Sequence, residues 1–207
     1  MEEELLELIY KKGFKYSEEK IFKLSSGKVS NFYIDCRVVN SSAKAKYLIS
    51  YIIYRKIDNL HIDAIGGPAT GAIPIADAVS YASYLEGKEI KSFWIRKTPK
   101  GHGLKKWIEG DVKSGDRVII VDDVITTGKS TIEALQRSRE AGLNVVKVIV
   151  LVDREEEEGR QNIEKEGVRV EALFTISDLM RFKERQEARG KRRGMRGENE
   201  VEGVRKP

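Results

Sequence analysis

A run of four apolar β-branched residues followed at once by two aspartates constrains this chain more than any other stretch. The run occupies residues 118–121, and the acids are Asp122 and Asp123. An unbroken run of this kind is typical of a strand buried on both faces of a parallel sheet, and we expect the acids where that strand ends. A hydroxyl-rich loop and a helical pattern from Ser130 follow. In open α/β sheets, ligands bind beyond the carboxyl ends of the strands, at such turns.

The loop after the aspartates has the composition of a phosphate-binding turn. Gly128 lets the backbone come close to a ligand, and free N–H groups at the start of a helix favour an anion. Further donors come from Thr126, Thr127, Lys129 and Ser130. Asp122 and Asp123 would repel a phosphate, but they suit the hydroxyls of a sugar or a Mg²⁺ ion held by that sugar. Together these features predict a site for a ribose 5-phosphate.

This loop has two other interpretations. Gly128-Lys129-Ser130 ends like the phosphate loop of nucleoside triphosphatases, but that motif needs a glycine where this chain has Asp123, so this alternative fails. A plain strand-turn-helix with acids capping the helix is the other alternative. A cap does not need two adjacent acids beside a hydroxyl-rich glycine loop, so the pattern favours a ligand site.

A second strand, glycine-rich loop and helix precede this unit. The strand is predicted at residues 62–65, the loop spans 66–72, and the helix runs to about Leu85. Backbone N–H groups near Thr70 and Gly71 are placed to bind a second anion such as a pyrophosphate. A tight turn without a ligand explains the same residues. This loop supports an anion site only in combination with the loop that follows Asp123.

A strand at residues 90–95 is followed by a segment dense in cations and punctuated by Pro and Gly. Its cations include Arg96, Lys97, Lys100 and His102. The absence of an apolar period predicts a long mobile loop. A solvated basic loop and a nucleic-acid-binding loop are the alternatives. A cation-bearing lid that closes on a pyrophosphate leaving group is favoured once the phosphate loops are considered.

The last third of the chain brings one more charged residue to the same edge of the sheet. A buried strand at residues 145–152 leads directly to Asp153 and Arg154. Arg154 is either a ligand contact at the carboxyl end of the strand or one half of a surface ion pair with the glutamates at 155–158. A helix through Ile163, a strand at 168–174 and a closing helix from Ser177 are predicted to complete the fold.

The first forty residues are predicted to form a small unit outside the main sheet. Leu5, Leu8 and Ile9 make the apolar stripe of a first helix that Gly13 ends. Segments 21–24 and 32–35 are predicted to pair as a hairpin through the turn between them. A helix at 43–55 follows.

Composition limits the class of protein. The 207 residues fit one α/β domain, and no apolar run is long enough for a membrane span. The acidic N-terminus is unlike a signal peptide, and Cys36, the only cysteine, is expected to be buried. These features predict a cytoplasmic protein. The net charge of +5 is uneven, because nine Lys or Arg and five Glu in residues 183–207 give that segment +4. We expect this tail to be flexible or a loosely attached helical extension.

Four motifs in this order and spacing resemble those of the orotate phosphoribosyltransferases, a family of type I phosphoribosyltransferases. They are the segments 24–35, 67–71, 96–103 and 122–130. The resemblance covers about residues 1–182. It implies an α/β fold with an open, mostly parallel sheet and helices on both faces, plus an N-terminal helix-hairpin hood over about residues 1–40. The tail at 183–207 lies outside it.

The resemblance implies Mg²⁺-dependent transfer of the phosphoribosyl group from phosphoribosyl pyrophosphate (PRPP) to orotate in pyrimidine biosynthesis. It also implies a homodimer in which the mobile loop serves the neighbouring subunit. The implied PRPP-binding residues are Thr70, Gly71, Arg96, Lys97, Lys100, His102, Asp122, Asp123, Val124, Ile125, Thr126, Thr127, Gly128, Lys129 and Ser130. Asp122 and Asp123 are the implied metal-site residues, and Lys100, His102 and Asp123 the implied catalytic ones. Orotate would contact Thr126, Arg154 and backbone groups of Tyr33 and Ile34.

Two positions depart from the pattern, and two rival functions were considered. Ser25 and Gly71 stand where some members carry ligand-binding lysines. A purine-specific relative would lack the hairpin motif and the His102 loop. A PRPP-sensing regulator would need a DNA-reading domain, and the residues before the hairpin are too few for one. Nucleic acid is therefore not an expected partner.

Overall fold

The computed structural model describes residues 1–23, 27–99 and 107–202, with side chains up to residue 190. The helices are α1 (Glu2–Lys12), α2 (Cys36–Asn40), α3 (Ala43–Ile57), α4 (Ile73–Leu85), α5 (Lys129–Glu140), α6 (Gly159–Glu164) and α7 (Ile176–Glu202). The strands are β1 (Phe14–Tyr16), β2 (Phe22–Lys23), β3 (Val29–Ser30), β4 (Phe32–Ile34), β5 (Ala64–Pro68), β6 (Lys91–Ile95), β7 (Ile108–Glu109), β8 (Arg117–Ile125), β9 (Asn144–Asp153) and β10 (Val170–Thr175).

Six strands form the central sheet in the order β10-β9-β8-β5-β6-β7. Neighbouring strands are parallel except at one edge, where the short strand β7 pairs antiparallel with β6. The predicted open, mostly parallel sheet is therefore confirmed. The strand order reverses direction around β5 and β8, which is where ligands bind in folds of this kind.

Side chains of β8 alternate between two apolar layers, one on each face of the sheet. Ile119 and Val121 pack with residues of α1, α3, α4 and α7. Val118 and Ile120 pack with residues of α5 and α6. All four side chains are fully buried, as expected for the central strand of a sheet covered by helices on both faces.

Strand β8 continues past the point at which the sequence analysis ended it. Asp122 pairs with Val150 and Ile125 with Asp153 on β9, so both aspartates lie inside the strand. The pairing of β8 with β5 stops earlier, at Ile120. The prediction that the acids end the strand was wrong because β9 supports the backbone to Ile125. On the side of β8 that faces β5, however, both aspartates lie beyond the last residue pair, Gly66 with Ile120.

Strand β5 also extends further than predicted, through the glycines assigned to the loop. A Cβ at Gly66 would lie 2.2 Å from the carbonyl oxygen of Phe93, and one at Gly67 would lie 1.9 Å from that of Val121. Glycine is required here because β6 and β8 approach too closely for any side chain. The strand therefore carries the chain to Pro68 before the second loop begins.

The N-terminal hood forms outside the main sheet, as predicted, but its strand pairing differs. Strand β4 pairs antiparallel with β1, and β2 pairs with β3. The predicted pairing of residues 21–24 with 32–35 was therefore wrong. These strands are two or three residues long, and so short an alternation does not define a partner. Residues 24–26, which end the first predicted strand segment and begin the predicted turn, lie outside the described residues.

Helix α7 closes the fold and continues into the basic tail. Leu179 and Phe182 are buried, and the ring of Phe182 lies 5.1 Å from that of Tyr10 in α1. The helical backbone extends to Glu202. In the part of the chain that the structure describes, none of the helices has both the length and the apolar character that crossing a bilayer requires.

Candidate functional site

A cavity of about 540 Å³ lies at the carboxyl ends of β5, β8 and β9 and collects residues from distant parts of the sequence. Predicted site residues that line it are Tyr33, Ile34, Thr70, Gly71, Lys97, Asp122, Asp123, Val124, Thr126, Ser130 and Arg154. The phosphate loop continues into an adjoining cavity of about 590 Å³, lined by residues 124–130 and Glu133. The fold therefore brings the two predicted phosphate loops and Arg154 to one place.

The phosphate loop turns sharply between β8 and α5 at Gly128. This residue has φ +78°, and a Cβ there would lie 2.7 Å from the carbonyl oxygen of Gly159. Both the backbone conformation and the close contact with α6 require glycine. Lys129 and Ser130 are exposed at the first turn of α5, where the backbone N–H groups attract an anion.

Asp122 is turned toward the protein and is held by the first turn of α5. Its carboxylate accepts hydrogen bonds from the hydroxyls of Thr131 at 2.9 Å and Ser130 at 3.1 Å. Burial and the neighbouring Asp123 raise the pKa of Asp122 to about 7. The hydroxyl donors oppose this rise because they favour the ionised form. The residue is thus poised to ionise near neutral pH, where a cationic ligand would favour its charged form.

Asp123 lies against the second loop. Its carboxylate accepts a hydrogen bond of 2.8 Å from the backbone N–H of Val124, and burial raises its pKa. A Cβ at Gly71 would lie 2.6 Å from the carboxylate carbon of Asp123. A side chain at Gly71 would therefore press on the carboxylate of Asp123, which would have to shift. The peptide bond between Ala69 and Thr70 in this loop is cis.

Arg154 is buried and forms part of the cavity wall. Its side chain is 3% exposed, and it pairs with the Glu156 carboxylate at 2.8 Å. Its guanidinium carbon lies 4.4 Å from the centre of the Phe32 ring in the hood. The sequence left a ligand contact and a surface ion pair as alternatives. The ion pair is present, but it is buried at the cavity wall and not on the open surface.

The basic segment after β6 is anchored at both of its ends. The backbone N–H of Arg96 donates to the carbonyl of Trp107 at 2.8 Å, and the Arg96 guanidinium pairs with Glu109 at 3.1 Å. The Trp107 ring stacks under Arg137 of α5, with 3.9 Å between the ring centre and the guanidinium carbon. Lys97 is exposed at the cavity. Lys100 and His102 lie outside the described residues.

Sequence reasoning missed several residues at or beside this site, among them Glu156, Trp107 and Arg37. Glu156 contacts Arg154, Trp107 anchors the basic segment, and Arg37 lines the cavity with a two-pronged hydrogen bond to Asp35 at 2.9 Å. Glu156 is one of four consecutive glutamates, so the sequence has no signal for which of them meets Arg154. Arg37 lies in the short helix α2, which has too few residues for a recognisable period.

Comparison with known proteins gives a consistent result. Residues 41–177 match the family model of the phosphoribosyl transferase domain. Orotate phosphoribosyltransferase of Aquifex aeolicus is 44% identical over 178 residues, which is 86% of this chain and 97% of that protein. The corresponding protein of Pyrococcus horikoshii is 43% identical over 184 residues, covering 87% and 94% of the two chains.

Solved structures agree with the sequence comparison. The crystal structure of Mycobacterium tuberculosis orotate phosphoribosyltransferase in complex with Fe(III) dicitrate has a TM-score of 0.74, with 32% identity and coverage of 86% and 98%. The same enzyme in complex with PRPP has a TM-score of 0.69, with 28% identity and coverage of 86% and 90%. Because the domain model spans most of the chain and close relatives match over nearly their whole length, this chain belongs to the orotate phosphoribosyltransferase family.

Proposed function

We propose that this protein transfers the phosphoribosyl group of PRPP to orotate, giving orotidine 5′-monophosphate and pyrophosphate in pyrimidine nucleotide synthesis. The observation that carries the proposal is the convergence of three features on one cavity. They are the phosphate loop, the aspartate pair and the buried Arg154. These features match the 5-phosphate, the ribose hydroxyls and the carboxylate of the base, respectively.

PRPP would lie along the carboxyl end of β8. Residues 126–130 would hold the 5-phosphate through backbone N–H groups and hydroxyls at the start of α5. Val124 and Ile125 would line its ribose, and Thr70 and Gly71 would meet the pyrophosphate. The Ser130 hydroxyl donates to Asp122 and would change partner to bind the phosphate.

Mg²⁺ is the proposed cofactor, held mainly through PRPP. Among the described residues, no group of three or more His, Cys, Asp or Glu side chains is arranged to hold a metal ion. Asp122 and Asp123 supply two carboxylates, and Mg²⁺ commonly takes one or two protein carboxylates together with substrate phosphates and water. The donor set therefore fits. When bound, the ion would supply charge neutralisation to the pyrophosphate.

Orotate would lie between Arg154 and the hood. The guanidinium suits a carboxylate, and backbone groups of Tyr33 and Ile34 with the Thr126 hydroxyl suit the polar edges of the ring. In the reaction, the bond from ribose C1 to the pyrophosphate oxygen breaks, a bond to an orotate ring nitrogen forms, and the proton of that N–H group passes to water or to the leaving pyrophosphate. The electron pair of the broken bond leaves with the pyrophosphate.

Catalysis would come from positioning and from neutralising the leaving group. Arg96 and Lys97 start the cationic segment beside the cavity, and Lys100 and His102 are the further proposed pyrophosphate contacts. Covalent catalysis by Cys36 is disfavoured, because burial and the nearby aspartates hold the pKa of its thiol well above the usual range. The thiol therefore stays neutral at the cavity wall.

The proposed assembly is a homodimer in which the basic segment reaches the site of the neighbouring subunit. Supporting it are three exposed tyrosines on helices α3 and α4, which pack against each other. Tyr47, Tyr81 and Tyr84 are 57%, 66% and 70% exposed. Large exposed apolar groups that lie together are typical of protein interfaces. A reducing cytoplasm, the proposed location, suits a chain with a single buried cysteine.

The test is a direct assay of orotate consumption with PRPP and Mg²⁺, with adenine as the competing base. Orotidine 5′-monophosphate and pyrophosphate should appear together, and adenine should not react. Asp123→Asn keeps the shape of the side chain but removes its charge, so it should lower kcat/KM for PRPP by roughly 10- to 150-fold. Unaltered turnover in this variant would contradict the proposed role of Asp123. If the parent protein does not react with orotate, the proposed function is refuted.

A further inference from the structure

The guanidinium of Arg154 is held by other parts of the protein on one edge and one face. Its Nε donates a hydrogen bond of 2.9 Å to one oxygen of Glu156, and its Nη2 lies 2.8 Å from the same oxygen as an ion pair. The Phe32 ring covers one face at 4.4 Å. Among the residues that the structure describes, the Nη1 group makes no hydrogen bond. Arg154 lines the cavity, so this end is the part still available to a ligand.

Ser30 closes the arrangement into a ring of three residues. Its hydroxyl donates to the second oxygen of Glu156 at 3.3 Å and accepts from Nη2 of Arg154 at 3.4 Å. Ser30 belongs to the hood and Glu156 follows β9, so the ring links two elements distant in sequence. Each of its members restricts the other two.

The loop that carries Glu156 has an unusual backbone conformation. Its neighbours Glu155, Glu157 and Glu158 all have positive φ, at +52°, +53° and +55°. Such conformations are costly for residues with side chains and persist where surrounding contacts enforce them. Two contacts do so: Glu155 accepts hydrogen bonds from Ser177 at the start of α7, and Glu157 pairs with Lys28 of the hood at 3.4 Å.

Glu156 also balances the positive charge of Arg154. Arg154 is 3% exposed, and a buried cation without a partner would be strongly destabilising. Glu156 supplies the counter-charge while remaining 29% exposed itself. It can therefore keep the guanidinium in the cavity wall during the part of the cycle in which no anionic base is bound.

We propose that Glu156 is a positioning residue for the base, which orients Arg154 so that its free end meets the carboxylate of the incoming substrate. This inference rests on the proposed function, in which Arg154 receives the carboxylate of orotate. Because the guanidinium is already oriented, less conformational entropy is lost when the substrate binds. The carboxylate does not take part in bond making, so it is bound equally in the ground state and the transition state. The effect therefore belongs in KM for orotate and not in kcat.

Two substitutions at this position separate geometry from charge. Glu156→Ala removes the acceptor, and a misplaced guanidinium should raise KM for orotate by roughly 10- to 100-fold. Glu156→Gln keeps an acceptor oxygen for Nε and Nη2 and an amide that can bond Ser30, so its KM should stay within about threefold of the parent value. Neither variant should change kcat or KM for PRPP. Glu158→Ala is the matched control, since Glu158 is 75% exposed and lies 3.8 Å from Lys165.

The experiment measures kcat and both KM values for the parent and the three variants, with thermal unfolding of each. The expected result is a rise confined to KM for orotate in Glu156→Ala, rescue in Glu156→Gln, and parental values in the control. An unchanged KM in Glu156→Ala, or equal losses in kcat and both KM values, would overturn the inference. So would a lower KM for orotate in either variant, which would make Glu156 a competitor of the substrate. A parent protein inactive with orotate would instead refute the proposed function.

Discussion

The carboxylate of Asp122 accepts a 2.9 Å hydrogen bond from the hydroxyl of Thr131, which ties strand β8 to the first turn of helix α5. The phosphate loop runs between these two residues. Because both of its ends are joined by this contact, the loop cannot open without breaking a buried hydrogen bond. The site therefore has its shape before a ligand arrives, which favours tight binding of a phosphate.

The first prediction concerns pH. The pKa of Asp122 is raised to about 7 by burial and by Asp123, whereas an unfolded aspartate has a pKa of roughly 3.9. Between these values the folded protein binds more protons than the unfolded chain, so this contribution to stability falls as pH rises and is lost through about pH 7. Asp122→Asn should remove this part of the pH dependence.

Urea unfolding at several pH values between about 5 and 8 measures this effect. The asparagine variant should be more stable than the parent toward the upper end of the range, yet impaired with PRPP. Asp116→Asn is the control, because Asp116 is also buried but accepts from the backbone N–H of Lys113, away from the cavity. Equal pH slopes for parent and Asp122→Asn would contradict the prediction.

The second prediction separates backbone strain from close packing at the phosphate loop. Gly128 and Gly87 have nearly the same φ, +78° and +76°, but only Gly128 has neighbours where a Cβ would lie. Gly87→Ala should cost about 1–2 kcal/mol from the left-handed conformation alone. Gly128→Ala should cost about 1–3 kcal/mol more, because the methyl group overlaps Gly159 and Ile163.

Free energies of unfolding from denaturant titration test the difference, and PRPP affinity tests its consequence. Gly128→Ala should weaken PRPP binding, whereas Gly87→Ala should leave it unchanged. Similar stability losses in the two variants would show that α6 yields to the added methyl group.

The third prediction concerns the cationic loop. Lys100→Ala should lose turnover far more than PRPP affinity, since the proposed contact forms as charge develops on the pyrophosphate. One such contact is typically worth about 2.7–4 kcal/mol in the transition state. Steady-state kinetics with a direct PRPP binding measurement separates the two effects. A loss seen mainly in affinity would place Lys100 in ground-state binding instead.

A mixture of Lys100→Ala and Asp123→Asn chains tests whether the loop is shared between subunits. If it is, each hybrid dimer has one site with both defects and one with neither, and activity should return in part. If the loop serves its own subunit, every site carries one defect. Subunit exchange is confirmed with differently tagged chains, and mixtures no more active than the separate variants would exclude a shared site.

The fourth prediction concerns the C-terminal segment. A chain ending at Lys183 keeps Leu179 and Phe182, the buried contacts of α7, so it should fold, dimerise and retain activity. A chain ending at Thr175 is the control, and the loss of these core side chains should prevent stable folding. Size-exclusion chromatography and the orotate assay measure both outcomes. If the chain that ends at Lys183 is inactive or monomeric, the basic segment at 184–207 contributes to the folded domain or to the dimer.

Much of the architecture follows from local patterns in the sequence. The apolar runs predicted the central strands, an apolar stripe predicted α1, and helices were also predicted where α3 and α4 lie. These features are local, because hydrophobic period and turn chemistry act within a few residues. The motif at residues 122–130 likewise predicted a loop at the carboxyl end of a strand, where the structure places it, and its binding of a phosphate stays a prediction.

Tertiary structure decided what depends on neighbours distant in sequence. Strand β8 reaches Ile125 because β9 pairs with it, and β5 runs through Gly66 and Gly67 because two strands approach them closely. The sequence placed Arg154 at the end of a strand, but its burial against Phe32 and its pairing with Glu156, not with another glutamate of the run, depend on how the hood folds over the sheet. Residue type and spacing carry the chemistry of a site, whereas side-chain partners and burial arise only when the elements pack together.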